Sequence, residues 1–110
     1  MNGGPGTLIM DLTKYVLDAA GNPQPEHDLL AWAQWMGTGD NSVIKREQVG
    51  RVRVSTVFLG LDHGWGTVQP LMWETMVYGG KLDGTCERYT SLEDAIAGHA
   101  RVVARVGEAV

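Results

Sequence analysis

Apolar and polar positions change period several times along the chain, and each change marks an element. Between Thr7 and Leu17 the apolar residues are interrupted by Asp11 and Lys14, a pattern that predicts a short strand near 13–18. Gly21-Asn22-Pro23 is a turn signal. Pro25, Glu26 and Asp28 suit a helix N-terminus, where a missing amide donor costs nothing and acidic charge is favoured. Leu29, Trp32, Ala33 and Met36 follow at helical spacing, so a helix is predicted over 26–36 and stopped by Gly37 and Gly39. From Asn41 onward the period is two. In the run from Arg51 to Leu59, Val52, Val54, Thr56 and Phe58 share one face, while Arg51, Arg53, Ser55, Val57 and Leu59 share the other. This predicts a strand over 52–60 that starts half exposed and ends covered on both sides, with a weaker strand at 43–47 before it. The segment 61–70, with Gly64 and Gly66 flanking Trp65, is a loop. A strand over 71–78, a glycine-rich turn and a return strand over 85–89 follow it.

The final helix, predicted over 91–106, starts at Thr90 or Ser91, each with an acidic residue three positions on. Its apolar stripe is read as Leu92, Ala95, Ile96, His99, Val103 and Val106. Gly98 costs about 1 kcal/mol of helix propensity relative to alanine and is read either as close approach to another backbone or as a tolerated surface glycine. The sum is an α+β fold, an antiparallel sheet of three to five strands covered by two helices. Residues 1–6, with three glycines and one proline, are expected to be a flexible segment ahead of a single domain over 7–110.

A chain of 110 residues, 44% hydrophobic and 20% charged, has room for one core. The net charge of -4 has the wrong sign for a nucleic-acid backbone or an anionic membrane. Apolar runs fall far short of the ~20 residues of a membrane span, and no secretory signal is recognised. The single Cys86 excludes an internal disulfide and is read as a small buried hydrophobe in a reducing, cytosolic compartment. Four Trp, three Tyr and five Met exceed what one thin core requires, which points to a homodimer.

Candidate chemistry is sparse. Asp62-His63 beside the Gly-Trp-Gly turn offers a general base or a ligand-binding imidazole, with plain loop hydrogen bonding as the alternative. Trp65 either plugs the core or presents a stacking surface. Glu74 interrupts an apolar row and needs a donor, for which Arg88 on the return strand is the candidate. His99 is read as a hydrogen-bonded histidine at the edge of the core. Arg51 and Arg53 fit an anion, a partner or the protection of a strand edge. Neither a phosphate-loop motif nor a metal-ligand spacing occurs, so no cofactor, metal or catalytic residue is expected.

Val54–His63, Trp73–Gly80, Arg88-Tyr89-Thr90 and Ala97-Gly98-His99 together resemble a family of small uncharacterised bacteriophage proteins, mostly from phages of actinobacteria. The resemblance covers most of residues 13–106. It implies a viral accessory protein in the host cytoplasm and carries no functional residues. The function expected is non-catalytic binding of a host protein that modulates host physiology or defence. The binding surface expected is Asp62, His63, Trp65, Arg51, Arg53, Glu74 and Arg88. Sequestration of an anionic nucleotide-like signal, or a hydrolase centred on His63, are the alternatives.

Overall fold

In the computed structural model, which describes residues 13–62 and 70–109, the fold is built around its most apolar strand. That strand, β4 (Val52–Phe58), follows β1 (Tyr15–Leu17), β2 (Pro23–Pro25), α1 (Leu29–Gly37) and β3 (Val43–Val49). After it come β5 (Trp73–Tyr78), β6 (Cys86–Tyr89) and α2 (Leu92–Ala109). Strands β3 to β6 form an antiparallel meander in sequence order, and β1 and β2 form a separate two-stranded ribbon. The α+β reading with two helices holds. The N-terminal strand differs from expectation in pairing with β2 rather than joining the larger sheet; the bridge between Lys14 and Leu61, the Tyr15 amide on the Gly60 carbonyl and the packing of Tyr15 and Leu17 on the Phe58 and Trp73 cluster hold it beside that sheet. Proline at both ends of β2 is tolerated because a two-stranded ribbon leaves one edge of each strand without a ladder.

α1 starts later than predicted. Asp28, not the residues before it, is the N-cap, its carboxylate accepting from the Leu30 and Ala31 amides at 3.0 and 3.2 Å. The helix seats Trp32 and Met36 on Gly60, which has a φ of 76°, and a side chain there would collide with both. Ser91 caps α2, its hydroxyl accepting from the Asp94 amide at 3.0 Å.

Alternation in β4 and β5 sends Val52, Val54, Thr56 and Phe58, with Trp73, Thr75 and Val77, toward α2. Val52, Val54 and Val77 meet Val102 and Val106 in one apolar cluster, and Phe58, Met72, Trp73, Tyr89 and Ala95 form a second. The buried stripe of α2 is Ala95, Gly98, His99, Val102 and Val106, rotated from the expected one. Ile96 is left 53% exposed, because Gly98 lets the helix approach the sheet on its own side and turns Ile96 outward. Cys86 is also exposed, contrary to the buried reading, since its strand position faces away from α2. Among the described residues no helix is long and apolar enough to cross a membrane.

Candidate functional site

The four-stranded sheet has two faces of different character. Under α2 lies a chain of hydrogen bonds that crosses all four strands. The Tyr89 hydroxyl donates to Thr75 Oγ1 at 2.9 Å, Thr75 and Thr56 bond through their hydroxyls at 2.5 Å, and Thr56 Oγ1 lies 2.7 Å from His99 Nδ1. His99 Nε2 donates to Glu47 Oε1 at 3.0 Å. A carboxylate can only accept, so Nε2 carries its proton toward Glu47, and with the proton there Nδ1 is the nitrogen that meets the Thr56 hydroxyl. That bond from His99 is the main reason the Glu47 carboxyl titrates below its ordinary value of 4.5. At the far end Glu87 accepts from Arg101 at 2.8 Å and from Arg105 at 3.3 Å, which ties β6 to α2 and holds the Arg101 guanidinium above its usual range. Burial raises the Tyr89 phenol.

Glu47, His99 and Thr56 follow the carboxylate, imidazole, hydroxyl order of a nucleophilic triad, but the arrangement is sealed. Thr56 is 0% exposed and His99 1%, and the Thr56 hydroxyl is held between Thr75 and His99, so no substrate reaches it. His99 fits the hydrogen-bonded core role read from its place in the helix stripe. Sequence reasoning missed its partners. The available signal was a threonine at the centre of each of two otherwise apolar strand faces, with a histidine in the helix that covers them.

The opposite face carries Arg46 and Gln48 from β3, Arg53, Ser55 and Val57 from β4, Glu74, Met76 and Tyr78 from β5, and Cys86 and Arg88 from β6. No helix or strand among the described residues packs on it; every element contact that α2 makes with the sheet is on the other side. Arg53 lies with its guanidinium 4.8 Å over the centre of the Tyr78 ring. Glu74 and Arg88 form the expected ion pair at 2.9 Å, which raises the Arg88 guanidinium, and Glu74 also accepts from the Cys86 thiol at 3.3 Å. Partial burial, with the Glu74 carboxylate next to it, pushes the Cys86 thiol up, so this cysteine is a poor nucleophile.

The residues singled out from sequence are thus dispersed. Arg53, Glu74 and Arg88 share the helix-free face, whereas Arg51 sits in the exposed turn between β3 and β4 rather than on a strand beside Arg53. Asp62 accepts from the Leu71 amide at 3.0 Å and closes the base of the loop between β4 and β5. His63 and Trp65 lie outside the described residues. Among the described residues no group of three histidine, cysteine or acidic side chains is placed to hold a metal ion. No family model, no curated protein and no solved structure matches the chain.

Proposed function

We propose that the protein is a non-catalytic accessory protein of a bacteriophage that binds a host protein through the helix-free sheet face. One observation carries this reading. Four hydrogen-bonded strands present Arg46, Arg53, Tyr78 and Arg88 around a centre of half-buried Val57 and Met76, with Ser55 buried between them, the arrangement of arginine and tyrosine about a less charged middle that protein interfaces favour. Arg53 and Arg88 pair with β5 at Tyr78 and Glu74, four residues apart, which is about 13 Å along a strand. That spacing supports an extended macromolecular partner over a single nucleotide-sized anion, and Arg51 in its turn adds nothing to a common phosphate pocket.

A photo-cross-linker placed at the exposed Gln48 on this face, in folded protein mixed with actinobacterial host extract, should recurrently trap one host protein. The same group at Ala104 on the exposed side of α2 should not. Equal products at both positions overturn the reading. Self-association is proposed alongside it and engages a different surface, because Leu29 and Leu30 of α1 are 58% and 79% exposed. Light scattering at micromolar concentration should report two chains per particle, shifting to one with Leu29→Glu and Leu30→Glu; a wild-type monomer across the concentration series removes the dimer.

A further inference from the structure

The helix-free face is charged oppositely to the rest of the molecule. It holds three arginines against one glutamate, a balance of +2. With the chain at -4, everything else sums to -6. Glu74 is already committed to Arg88, and among the described residues Arg46 has only Asp40 at 3.8 Å, an exposed pair that contributes little. Arg53 pairs with no carboxylate among the described residues; its guanidinium lies over the ring of Tyr78, itself 43% exposed. A guanidinium held over a ring has lost part of its rotamer freedom before any partner arrives, and Arg53 is exposed, so its N–H groups can reach a carboxylate.

We propose that this face docks an acidic protein surface, with the Arg53 and Tyr78 side chains, in contact with each other, as its anchor; the proposal rests on the helix-free face being the binding surface. Charge selects the occupant. A second copy laid face to face would bring three arginines against three arginines with only one glutamate per side, so the dimer belongs elsewhere. A nucleic acid would need many phosphate contacts, and here one of three cations is neutralised from within by Glu74 while Val57, Met76 and Ser55 occupy the centre. Size selects the strength. Four strands about 4.8 Å apart and about six residues long give roughly 350–400 Å², about half of what one partner contributes to a standard interface. The contact is therefore a transient one, governed by the anchor and by ionic strength.

The test is an amide-resolved NMR titration of the isotope-labelled full chain with three probes. These are a peptide of about a dozen residues in which glutamate alternates with leucine, the same peptide with lysine for glutamate, and an oligothymidine of equal length. The glutamate peptide should shift amides of Arg46–Gln48, Arg53–Val57 and Glu74–Tyr78 and leave α2 unmoved. Its affinity should fall at least tenfold between low and physiological-plus salt, and at least tenfold on Arg53→Glu, with a smaller loss for Arg53→Gln. Lys81→Glu, in the turn after β5, should change it less than twofold. Circular dichroism confirms that each variant is folded. Shifts centred on α2 or α1, an affinity unmoved by Arg53→Glu, or tighter binding of the lysine peptide or the oligothymidine would each overturn the proposal. A host protein cross-linked from Gln48 that survives Arg53→Glu removes the acidic anchor and leaves the host-binding function standing. If Gln48 traps no host protein, that function falls, and the titration still decides the chemistry of the face.

Discussion

Replacing His99 by alanine is expected to lower stability by about 3–5 kcal/mol, which for a domain of this size is a fall in Tm on the order of 15–25 °C. Two losses combine. A side chain of α2 that is 1% exposed is removed, leaving a cavity beside Thr56. The Thr56 hydroxyl also loses its imidazole partner, and the bond to Glu47 disappears. Differential scanning calorimetry measures the loss. The same account expects His99→Leu with Thr56→Val and Thr75→Val to recover much of it, because the buried imidazole and both threonine hydroxyls go together and the Tyr89 hydroxyl keeps Glu87 at 3.4 Å, whereas removing His99 alone leaves the Thr56 hydroxyl without its imidazole partner. A triple variant as unstable as His99→Ala would show that the hydrogen bonds themselves, and not the cavity or the orphaned hydroxyl, carry the stability. Glu47 supplies a second readout. Its folded pKa lies below the unfolded value, so the stabilisation is complete above the unfolded pKa of about 4.5 and is lost as pH falls through the lowered folded value. Tm should therefore fall in acid more steeply for the wild type than for Glu47→Gln.

The network also shows where sequence stops informing structure. The strand over 52–60 and its partner over 71–78 were legible because period-two alternation with valine, threonine and phenylalanine has few alternative explanations, and both strands pair as expected. The Glu74 and Arg88 pair was legible for the same reason, since once the hairpin is drawn the two residues are cross-strand neighbours. Glu47 was not legible as a partner of His99. It lies 52 positions away on an edge strand whose register slips between Val43 and Lys45, and an irregularity of one residue exchanges the two faces of a strand. Cys86 was misjudged on composition, which says that cysteines are mostly inside; its strand lies at the sheet edge and its position faces away from the helix. β2 was missed because a Pro-Gln-Pro segment has the signature of a turn.

The binding face was half visible. Arg53, Glu74 and Arg88 were recognised as candidates, but the period of a strand gives only which residues share a side and never whether another element covers it. α2 has one apolar stripe and therefore covers one face. Arg46, Val57, Met76 and Tyr78 become candidates only when the sheet order and the single covering helix are both known. The Asp62 and His63 pair divided differently. Asp62 takes the bracing role that was its plain alternative, accepting from Leu71 across the mouth of the loop.

Gly98 carries the second large effect, and its sign is opposite to what helix propensity dictates. In an exposed helix Gly→Ala stabilises by about 1 kcal/mol. Here a methyl group at position 98 would fall within the contact distance of the Tyr89 ring and hydroxyl. Retreat of that ring is opposed by its hydrogen bond to Thr75 at 2.9 Å and by its packing with Phe58, Trp73 and Ala95. Overpacking of this kind typically costs about 1–3 kcal/mol and can exceed the propensity gain, so Gly98→Ala is expected to destabilise by roughly 2 kcal/mol and lower Tm by about 10 °C. The decisive measurement is the same substitution in a Tyr89→Leu background. There the obstacle is gone, the propensity term is left alone, and Gly98→Ala should become neutral or stabilising by up to about 1 kcal/mol. A change of sign between the two backgrounds establishes that the glycine is required by the approach of α2 to β6. An equal loss in both would place the requirement in the helix backbone itself and not in its contact with Tyr89.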